Sequence, residues 1–314
     1  MPKVLRPQTH DEWLQLRGTG IGSSEVGTIL GLNRWETPLQ LWRRKLGLDA
    51  PVPENNAMLM GHLLEDAVAK RWEIETGMSV IKRSAVDFIV VDDSRDYLRV
   101  SPDRTYYLPE CAHNNANKGI VECKSTAMYI TEDDVPLTWF TQLQYQMGVC
   151  GYKHGWLAWL TQGREFGCKH YEFDADYYQY IVTEVDRFYN YNILQQVEPE
   201  SISVDDVLTK NPRAAEGKTL TANDNLLLAV DTLKAVNERL KADKAEKDKL
   251  EEQIKLALAD AESLIDGSTG KPLLTWKNNK DGSRFNEKLF AQEHPELYQQ
   301  YLEVRQGARV LRLK

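Results

Sequence analysis

A change in the spacing of apolar residues near residue 80 constrains the fold of this chain more than any other feature. Before that point the spacing is helical, and in the longest stretch, 56–76, apolar side chains recur every four residues. After it, apolar residues alternate with a period of two, which is typical of strands. The alternating segments are Val86–Val91, Tyr97–Val100 and Ile120–Lys124. Both periods in succession predict an α/β fold.

Further helices and strands complete the predicted core. Three short helices come before the long one, each bounded by a capping residue or proline and by a glycine: 9–18, 24–31 and 37–47. A turn at Gly163 predicts a hairpin, with a helix before it and another after it. These elements are Pro136–Cys150, Trp156–Leu160, Cys168–Phe173 and Asp174–Leu194. We therefore predict a mixed central β-sheet flanked by helices.

A polar segment separates this core from the rest of the chain. Residues 210–223 are rich in Pro, Gly, charged and small residues, which is typical of a linker. The predicted domains are a core over 1–204, a linker over 205–225 and an extension over 226–314. Residues 226–265 predict a long helix or a helical hairpin, because apolar residues recur every seven residues until Lys247 interrupts them. A small αβ unit is predicted after it, with strands over 273–277 and 310–313 and a helix over 289–304.

Composition argues against a membrane-spanning, a secreted and a disulfide-rich protein. The 314 residues carry 39 Lys and Arg against 47 Asp and Glu, a net charge of −8. No apolar run reaches the roughly 20 residues that span a bilayer, and the first residues lack the apolar core of a secretory signal. The four cysteines form no C-x-x-C pair and so predict neither a disulfide framework nor a zinc knuckle. We expect a cytoplasmic protein.

Two predicted strands carry residues suited to metal-assisted chemistry. Ser101-Pro102-Asp103 follows one strand, and Glu122-Cys123-Lys124 lies on the next. Glu122 and Lys124 share a strand face, whereas Cys123 points the other way. Two carboxylates and an ammonium in one place suit a hard cation such as Mg²⁺ and a water molecule. Each of these short motifs alone is more often a turn or a solvated strand than a site.

Other polar residues could join this site. Glu65 lies at the edge of the apolar stripe of the long helix, where it could reach the sheet. The turn at 20–25 opens a helix with Ser23 and Ser24, and Arg17 lies just before it, a combination that can hold a phosphate. The alternative for each is structural, as a solvent-facing carboxylate or an ordinary helix cap. The segment 142–146, Q-L-Q-Y-Q, is equally consistent with a polar helix face.

Taken in order, these motifs resemble the phage lambda-type exonuclease family, also described as YqaJ-like viral recombinases, within the PD-(D/E)xK nuclease superfamily. The resemblance covers residues 8 to about 194. The matching segments are Arg17, G-I-G-S-S-E at 20–25, G-L-N at 31–33, T-P-L at 37–39, G-H-L-L-E at 61–65, S-P-D at 101–103, E-C-K at 122–124 and Q-L-Q-Y-Q at 142–146. The resemblance implies a restriction-endonuclease-like core.

The resemblance also implies a role for each matching residue. The metal ligands would be Glu65, Asp103, Glu122 and the backbone carbonyl of Cys123. Lys124 would place the attacking water, and Gln142 would lie near the scissile phosphate or hold the lysine. The 5′-phosphate of the degraded strand would be held by Arg17, Ser24 and Ser23. A further acidic residue is expected at Asp93 or its neighbour Asp92.

The activity implied by the resemblance is a Mg²⁺-dependent exonuclease. It would act 5′→3′ on ends of double-stranded DNA and leave 3′ overhangs for recombination by strand annealing. It would use two metal ions, with Mn²⁺ able to replace Mg²⁺. The family further implies a trimeric ring, a phage single-strand annealing protein as partner, and a bacteriophage or prophage origin. The segment after about residue 205 has no counterpart in the compact enzymes but is similar to tails of longer phage YqaJ-like proteins, with T-W-K at 275–277 and H-P-E-L-Y at 294–298.

Two alternatives stay open at this point. One is an endonuclease of the same superfamily, directed to a DNA structure or sequence. The other is a non-catalytic DNA-binding or scaffold protein that uses the helical segment 226–265. Cleavage of closed circular duplex would favour the first, and absence of both cation binding and nuclease activity would favour the second.

Overall fold

The computed structural model describes residues 2–50, 53, 55–81, 88–109, 111–305 and 307–314. The chain forms two compact units, Met1–Lys210 and Asn211–Lys314. The predicted boundaries at 204 and 226 stay a prediction. Four cysteines lie within the described residues, and all four are free.

The first unit contains groups of helices and groups of strands. Its α-helices are α1 His10–Gly18, α2 Ser23–Ile29, α3 Pro38–Lys45, α4 Asn56–Thr76, α5 Leu137–Cys150, α6 Ala175–Arg187 and α7 Val204–Lys210. Its strands are β1 Lys3–Leu5, β2 Ile21–Gly22, β3 Ile89–Val91, β4 Leu98–Val100, β5 Arg104–Tyr107, β6 Lys118–Thr126, β7 His154–Thr161 and β8 Glu165–Glu172. A π-helix, Phe188–Leu194, extends α6, and a short 3₁₀ helix, Asn115–Asn117, comes before β6.

The described strands of the first unit form two mixed sheets. One has the order β1-β3-β4-β2, with β2 and β4 parallel. The other has the order β5-β6-β7-β8, with β6 and β7 parallel and the remaining pairs antiparallel. The predicted mixed α/β class is confirmed, but the predicted single central sheet is divided in two. The division falls at Ser101-Pro102-Asp103, where proline has no N–H to continue the ladder.

The second sheet lies between two helices. Ile120 belongs to one hydrophobic cluster, together with Leu143 and Met147 of α5. Val121 and Cys123 belong to the other, together with residues of α4 such as Trp72. Because neighbouring residues of a strand point to opposite faces, β6 presents Glu122 and Lys124 on the α5 side.

Several predicted elements differ in detail. Strand β5 was not predicted, and residues 86 and 87 of the predicted strand Val86–Val91 lie outside the described residues. The predicted hairpin is confirmed as β7 and β8, which pair from His154↔Glu172 to Thr161↔Glu165.

The second unit contains a helix of 35 residues. Its elements are α8 Asp224–Leu258, β9 Ser263–Ile265, β10 Pro272–Thr275, α9 Glu287–Glu293 and α10 Pro295–Gln300. The predicted strand over 310–313 is wrong, since these exposed residues have no regular structure. The helix also ends earlier than predicted, because 263–265 pairs with β10. Within the described residues, no helix has the length and apolarity needed to cross a membrane.

Candidate active site

Asp103 and Glu122 meet where β5 and β6 lie side by side. Asp103 comes directly before β5, and its Oδ2 accepts the backbone N–H of Cys123 at 2.8 Å. Residues 104–107 pair antiparallel with 118–121, so Asp103 lies beside the middle of β6. The bend at Asp103 therefore brings the carboxylate that precedes β5 to the centre of β6.

Three side chains hold the Glu122 carboxylate. Lys124 Nζ and Gln142 Nε2 both donate to Oε1, at 2.7 and 2.5 Å, and Gln146 Nε2 donates to Oε2 at 2.9 Å. Lys124 Nζ also donates to Gln142 Oε1 at 2.8 Å. Glu122 is only 1% exposed. The lysine and the two amides thus fix both oxygens of a buried carboxylate.

The electrostatics of the site favour a bound cation. Burial and the neighbouring carboxylates of Glu122 and Glu65 raise the pKa of Asp103 well above its usual value. Burial opposes the charged form of Lys124, but the carboxylates of Glu122 and Asp103 outweigh it and raise the pKa of that ammonium. Lys124 is therefore a cation at neutral pH. A further positive charge near Asp103 would offset the repulsion between its carboxylate and those of Glu122 and Glu65.

Glu65 reaches the site from α4 in the company of an arginine. Arg104 Nη1 donates to Glu65 Oε1, and Nη2 donates to Oδ1 of Asp66. The Arg104 side chain is 4% exposed and that of Glu65 is 15% exposed. Glu65 thus lies near the edge of the sheet, which its position on the helix permits. It is paired there with Arg104, to which the sequence interpretation gave no role.

The candidate phosphate pocket lies at the start of α2. Arg17 Nη2 donates to Ser24 Oγ at 2.8 Å, and the guanidinium carbon lies 4.9 Å from the centroid of the Trp13 ring. Ser23 is 6% exposed and accepts a hydrogen bond from Gln146 Nε2 at 3.1 Å. Ser24 thus lies beside Arg17. Ser23 instead bonds to Gln146, which also donates to Glu122. The contact of Ser23 with phosphate stays a prediction.

Glu25 fixes the turn that carries these serines. Its Oε2 accepts the backbone N–H of Gly22 at 2.8 Å and pairs with Lys45 Nζ at 2.8 Å, while Oε1 pairs with Arg44 at 3.2 Å. Lys45 Nζ also donates to the carbonyl of Gly20 at 2.6 Å. The pocket is therefore built on a turn that Glu25 holds by hydrogen bonds. Of the positive charges of α3, Lys45 and one nitrogen of Arg44 face Glu25, whereas Arg43 pairs with Asp49 and Arg44 also pairs with Glu36.

The remaining predicted residues take other positions. Burial and nearby carboxylates raise the pKa of the Cys123 thiol well above its usual value, so the thiol is a poor metal ligand and only the backbone carbonyl fits the predicted role. Asp92 Oδ1 accepts three hydrogen bonds from Ser94 and Arg95, which makes it a turn cap. Asp93 lies in the same turn between β3 and β4. Whether either aspartate supports the site stays a prediction.

The donor types of the site fit a hard divalent cation, which prefers carboxylate and carbonyl oxygens. Asp103, Glu122 and Glu65 are close enough to influence one another, since both glutamates raise the pKa of Asp103. However, no group of three His, Cys, Asp or Glu in the described part of the chain is arranged to hold a metal ion. Binding of one cation by all three carboxylates would therefore require these side chains to move closer to one another.

Two residues of the site were missed by the sequence interpretation. Gln146 links Glu122 to Ser23, and its four-residue spacing from Gln142 on one helix was the available signal. Its Oε1 is buried and has no hydrogen-bond partner among the described residues. Arg104 gave no comparable signal, because its partners on α4 lie 38 and 39 residues away along the chain.

A mixed α/β core with one carboxylate just before a strand, and a second carboxylate and a lysine at the centre of the neighbouring strand, is the arrangement predicted for the PD-(D/E)xK class. The model of the YqaJ-like viral recombinase domain matches residues 12–153. The uncharacterized protein YqaJ of Bacillus subtilis (strain 168) is 30% identical over 305 residues, covering 93% of this chain and 90% of the relative. The chain belongs to the YqaJ-like viral recombinase family.

Two of the solved structures that the chain matches are named as exonucleases. The alkaline exonuclease LHK-Exo from Laribacter hongkongensis is 19% identical, with 57% of this chain and 91% of the other covered and a TM-score of 0.43. A putative exonuclease from Eubacterium rectale is 14% identical, with coverages of 69% and 97% and a TM-score of 0.44. With identities and TM-scores this low, family membership rests on the Bacillus subtilis relative.

Proposed function

We propose that this protein is a Mg²⁺-dependent exonuclease that degrades the 5′-ended strand of linear double-stranded DNA. One observation carries the proposal. Gln146 donates both to Glu122 in the carboxylate and lysine site and to Ser23 in the turn that carries Ser24. A candidate cation site and a candidate phosphate pocket are thereby joined through a single side chain, as an enzyme that cuts next to a terminal phosphate requires.

The chain's own residues divide the work of hydrolysis. A bound divalent cation supplies activation of water and neutralisation of phosphate charge. Asp103, Glu122 and the Cys123 carbonyl, with Glu65, would hold it. Lys124, fixed between Glu122 and Gln142, donates a hydrogen bond that orients the attacking water or stabilises negative charge on a phosphate oxygen.

The candidate phosphate pocket supports the proposed polarity. A terminal phosphate monoester carries more negative charge than an internal diester, so a guanidinium beside a hydroxyl favours the end of a strand. Arg17 is oriented by Ser24 and by the face of Trp13. Arg17 and Ser24 bind the 5′-phosphate, and the next phosphodiester lies at the carboxylates.

Family resemblance supports the remaining parts of the proposal. The product is a 3′ single-stranded overhang, which a phage single-strand annealing protein takes up for recombination. The site would hold two metal ions, with Mn²⁺ able to replace Mg²⁺, and the active form would be a trimer in the cytoplasm of a bacterial host. Sedimentation of the whole chain measures the oligomeric state directly.

The test uses linear duplexes that differ only in the 5′ end. With Mg²⁺, the wild-type protein should release nucleotides faster from a 5′-phosphorylated duplex than from a 5′-hydroxyl duplex. Arg17→Ala should abolish this preference. Arg34→Ala is the matched control, because Arg34 also stacks over a tryptophan, at 4.6 Å from Trp35, but lies outside the proposed pocket.

Other outcomes distinguish other functions. Equal cleavage of closed circular duplex would identify an endonuclease, since a circle offers no terminal phosphate. Absence of both Mn²⁺ binding and nucleotide release would reject the enzyme and leave a DNA-binding or scaffold protein.

A further inference from the structure

Arg104 occupies an unusual place for a charged residue. It directly follows Asp103 and begins β5, opposite Val121 of β6. Its side chain lies on the same face of the strand as that of Tyr106, which packs in the cluster beneath α4. With 4% of the side chain exposed, the guanidinium is almost completely removed from solvent.

The contacts of Arg104 join α4 to the residue that carries the central carboxylate. Nη1 donates both to Glu65 Oε1 and to the backbone carbonyl of Asp103, and Nη2 donates to Asp66 Oδ1. The two α4 carboxylates differ in environment, with exposed side-chain fractions of 15% for Glu65 and 91% for Asp66. The guanidinium thus contacts one carboxylate at the site and one at the surface.

Stability alone is a weak account of this arrangement. A buried ion pair loses so much hydration that well-packed apolar residues of similar volume often give an equally stable protein. Positioning is a stronger account, because a guanidinium is a rigid planar fork that can hold several acceptors in fixed directions. Glu65 also needs to be held, since its Oε1 and the Asp103 carbonyl accept from the same Arg104 nitrogen. Without that guanidinium, repulsion between the carboxylates of Glu65 and Asp103 would favour a Glu65 side chain turned away.

We propose that Arg104 is a positioning residue that holds the Glu65 carboxylate toward Asp103 and so prepares the site for a divalent cation. This inference rests on the proposed metal-dependent function. Arg104 acts through Glu65 and touches neither substrate nor cation. Asp66 anchors the outer side of the guanidinium, and the Asp103 carbonyl ties it to the strand.

Calorimetric titration of the whole protein with Mn²⁺ tests the inference without relying on activity. Arg104→Gln should weaken Mn²⁺ binding by about tenfold or more, the effect typical of removing a residue that orients a ligand. Arg104→Lys, which keeps the charge but loses the fork, should recover part of that affinity. Arg71→Gln is the matched control, because it removes the Arg71–Glu75 ion pair from the surface of the same helix and should leave Mn²⁺ affinity unchanged.

A double substitution shows whether Arg104 acts through Glu65. In the Glu65→Gln background, Arg104→Gln should cause no further loss of Mn²⁺ affinity. Circular dichroism of every variant checks folding, and if Arg104→Gln does not fold, Arg104→Lys carries the comparison. Unchanged or tighter Mn²⁺ binding by the folded Arg104 variants would overturn the inference, whereas absence of Mn²⁺ binding by the wild-type protein would overturn the proposed function itself.

Discussion

Among single residues, Glu122 defines the site, because both oxygens of its carboxylate accept hydrogen bonds from neighbouring side chains. Lysine and two glutamine amides donate to its two oxygens, and the residue is almost fully buried. An amide can donate to a carboxylate without adding positive charge. Gln142 and Gln146 therefore fix the direction of Glu122 while leaving the negative field of the site available to a cation.

Removing the second amide should weaken the site without unfolding it. Gln146→Ala should lower Mn²⁺ affinity and the nuclease rate by roughly 10- to 100-fold, as for other residues that orient a metal ligand. Gln144→Ala is the matched control, since Gln144 lies on the same helix but bonds the backbone of Glu172 and Asp174. It should cost stability and leave Mn²⁺ affinity unchanged. Equal effects of the two substitutions on Mn²⁺ affinity would contradict this role for Gln146.

In the absence of metal, the ionised carboxylate of Asp103 should lower the free energy of unfolding. Its raised pKa means that the folded protein disfavours the ionised carboxylate, so the cost appears as pH rises above the usual carboxyl pKa and is absent at lower pH. Asp103→Asn should therefore raise the free energy of unfolding at neutral pH by about 1 kcal/mol, the size common for relieving strain at a functional site. Urea denaturation with a chelator measures this change. A loss of stability in the variant would contradict the electrostatic account.

Residues near each other along the chain were predictable, and residues joined only by the fold were not. The period of two placed Glu122 and Lys124 together, and the order of motifs pointed to Asp103. Gln146 was within a motif but received no role of its own. Arg104 was overlooked because its role depends on its contacts with Glu65 and Asp66 of α4, which neither segment reveals by itself.

At the element scale, the turn at 20–25 depends on a close approach of two backbones. A Cβ on Gly20 would lie 2.5 Å from the carbonyl oxygen of Tyr97, the same oxygen that accepts the Ile21 N–H at 2.7 Å. Since β2 pairs with β4 through this contact, a side chain at Gly20 would push the turn away from the sheet.

Gly20→Ala should destabilise the protein and disturb the phosphate pocket. We expect a loss of about 1–3 kcal/mol in the free energy of unfolding, the usual cost of overpacking, together with a weaker preference for 5′-phosphorylated ends. Gly18→Ala is the matched control, because a Cβ there would meet no atom within 4 Å. It should change the free energy of unfolding by less than about 0.5 kcal/mol. Equal stabilities of the two variants in urea denaturation would contradict the close-approach account.

The elements themselves were predictable where their pattern was long. The helix over 56–76 and the β7–β8 hairpin have the predicted type, because each carries a sustained spacing of apolar residues. The division into two sheets was not predictable from spacing, since Pro102 alone does not indicate where the following strand pairs. Strand β5 is only four residues long and begins with the charged Arg104, so it carried no strand pattern.

At the scale of the whole molecule, burial is distributed very unequally. Every buried hydrophobic residue of the described chain lies in the first unit, apart from Leu258. In α8, exposed leucines run along a helix of 35 residues. The first unit therefore contains the hydrophobic core that a cooperative transition requires, and the second unit has little of its own.

Separate fragments should reflect this difference. Residues 1–210 should unfold in a single cooperative thermal transition, because they retain both hydrophobic clusters. Residues 211–314 should lose helical signal gradually, since isolated helices are marginal without packing. Circular dichroism melts of the two fragments measure this. A sharp transition in 211–314 at low concentration would show that this unit has a core of its own.

The acidity of the chain also belongs to this scale. Residues 51–200 hold 13 basic and 23 acidic side chains, including the three proposed metal ligands. Protein binding to DNA backbone depends strongly on positive charge. We therefore expect weak attachment to uncut duplex, with binding concentrated at ends that the Arg17 pocket can engage.

Nucleotide release from a 5′-phosphorylated duplex, labelled in the 5′-ended strand, tests the proposed exonuclease activity most directly. With Mg²⁺, the wild-type protein should release labelled mononucleotides sequentially from that end, and Lys124→Met should reduce the rate by at least about 100-fold. Lys118→Met, on the same strand and beside Tyr107, should retain the wild-type rate. Release that is independent of Mg²⁺, that starts from the 3′ end, or that is unaffected by Lys124→Met would contradict the account.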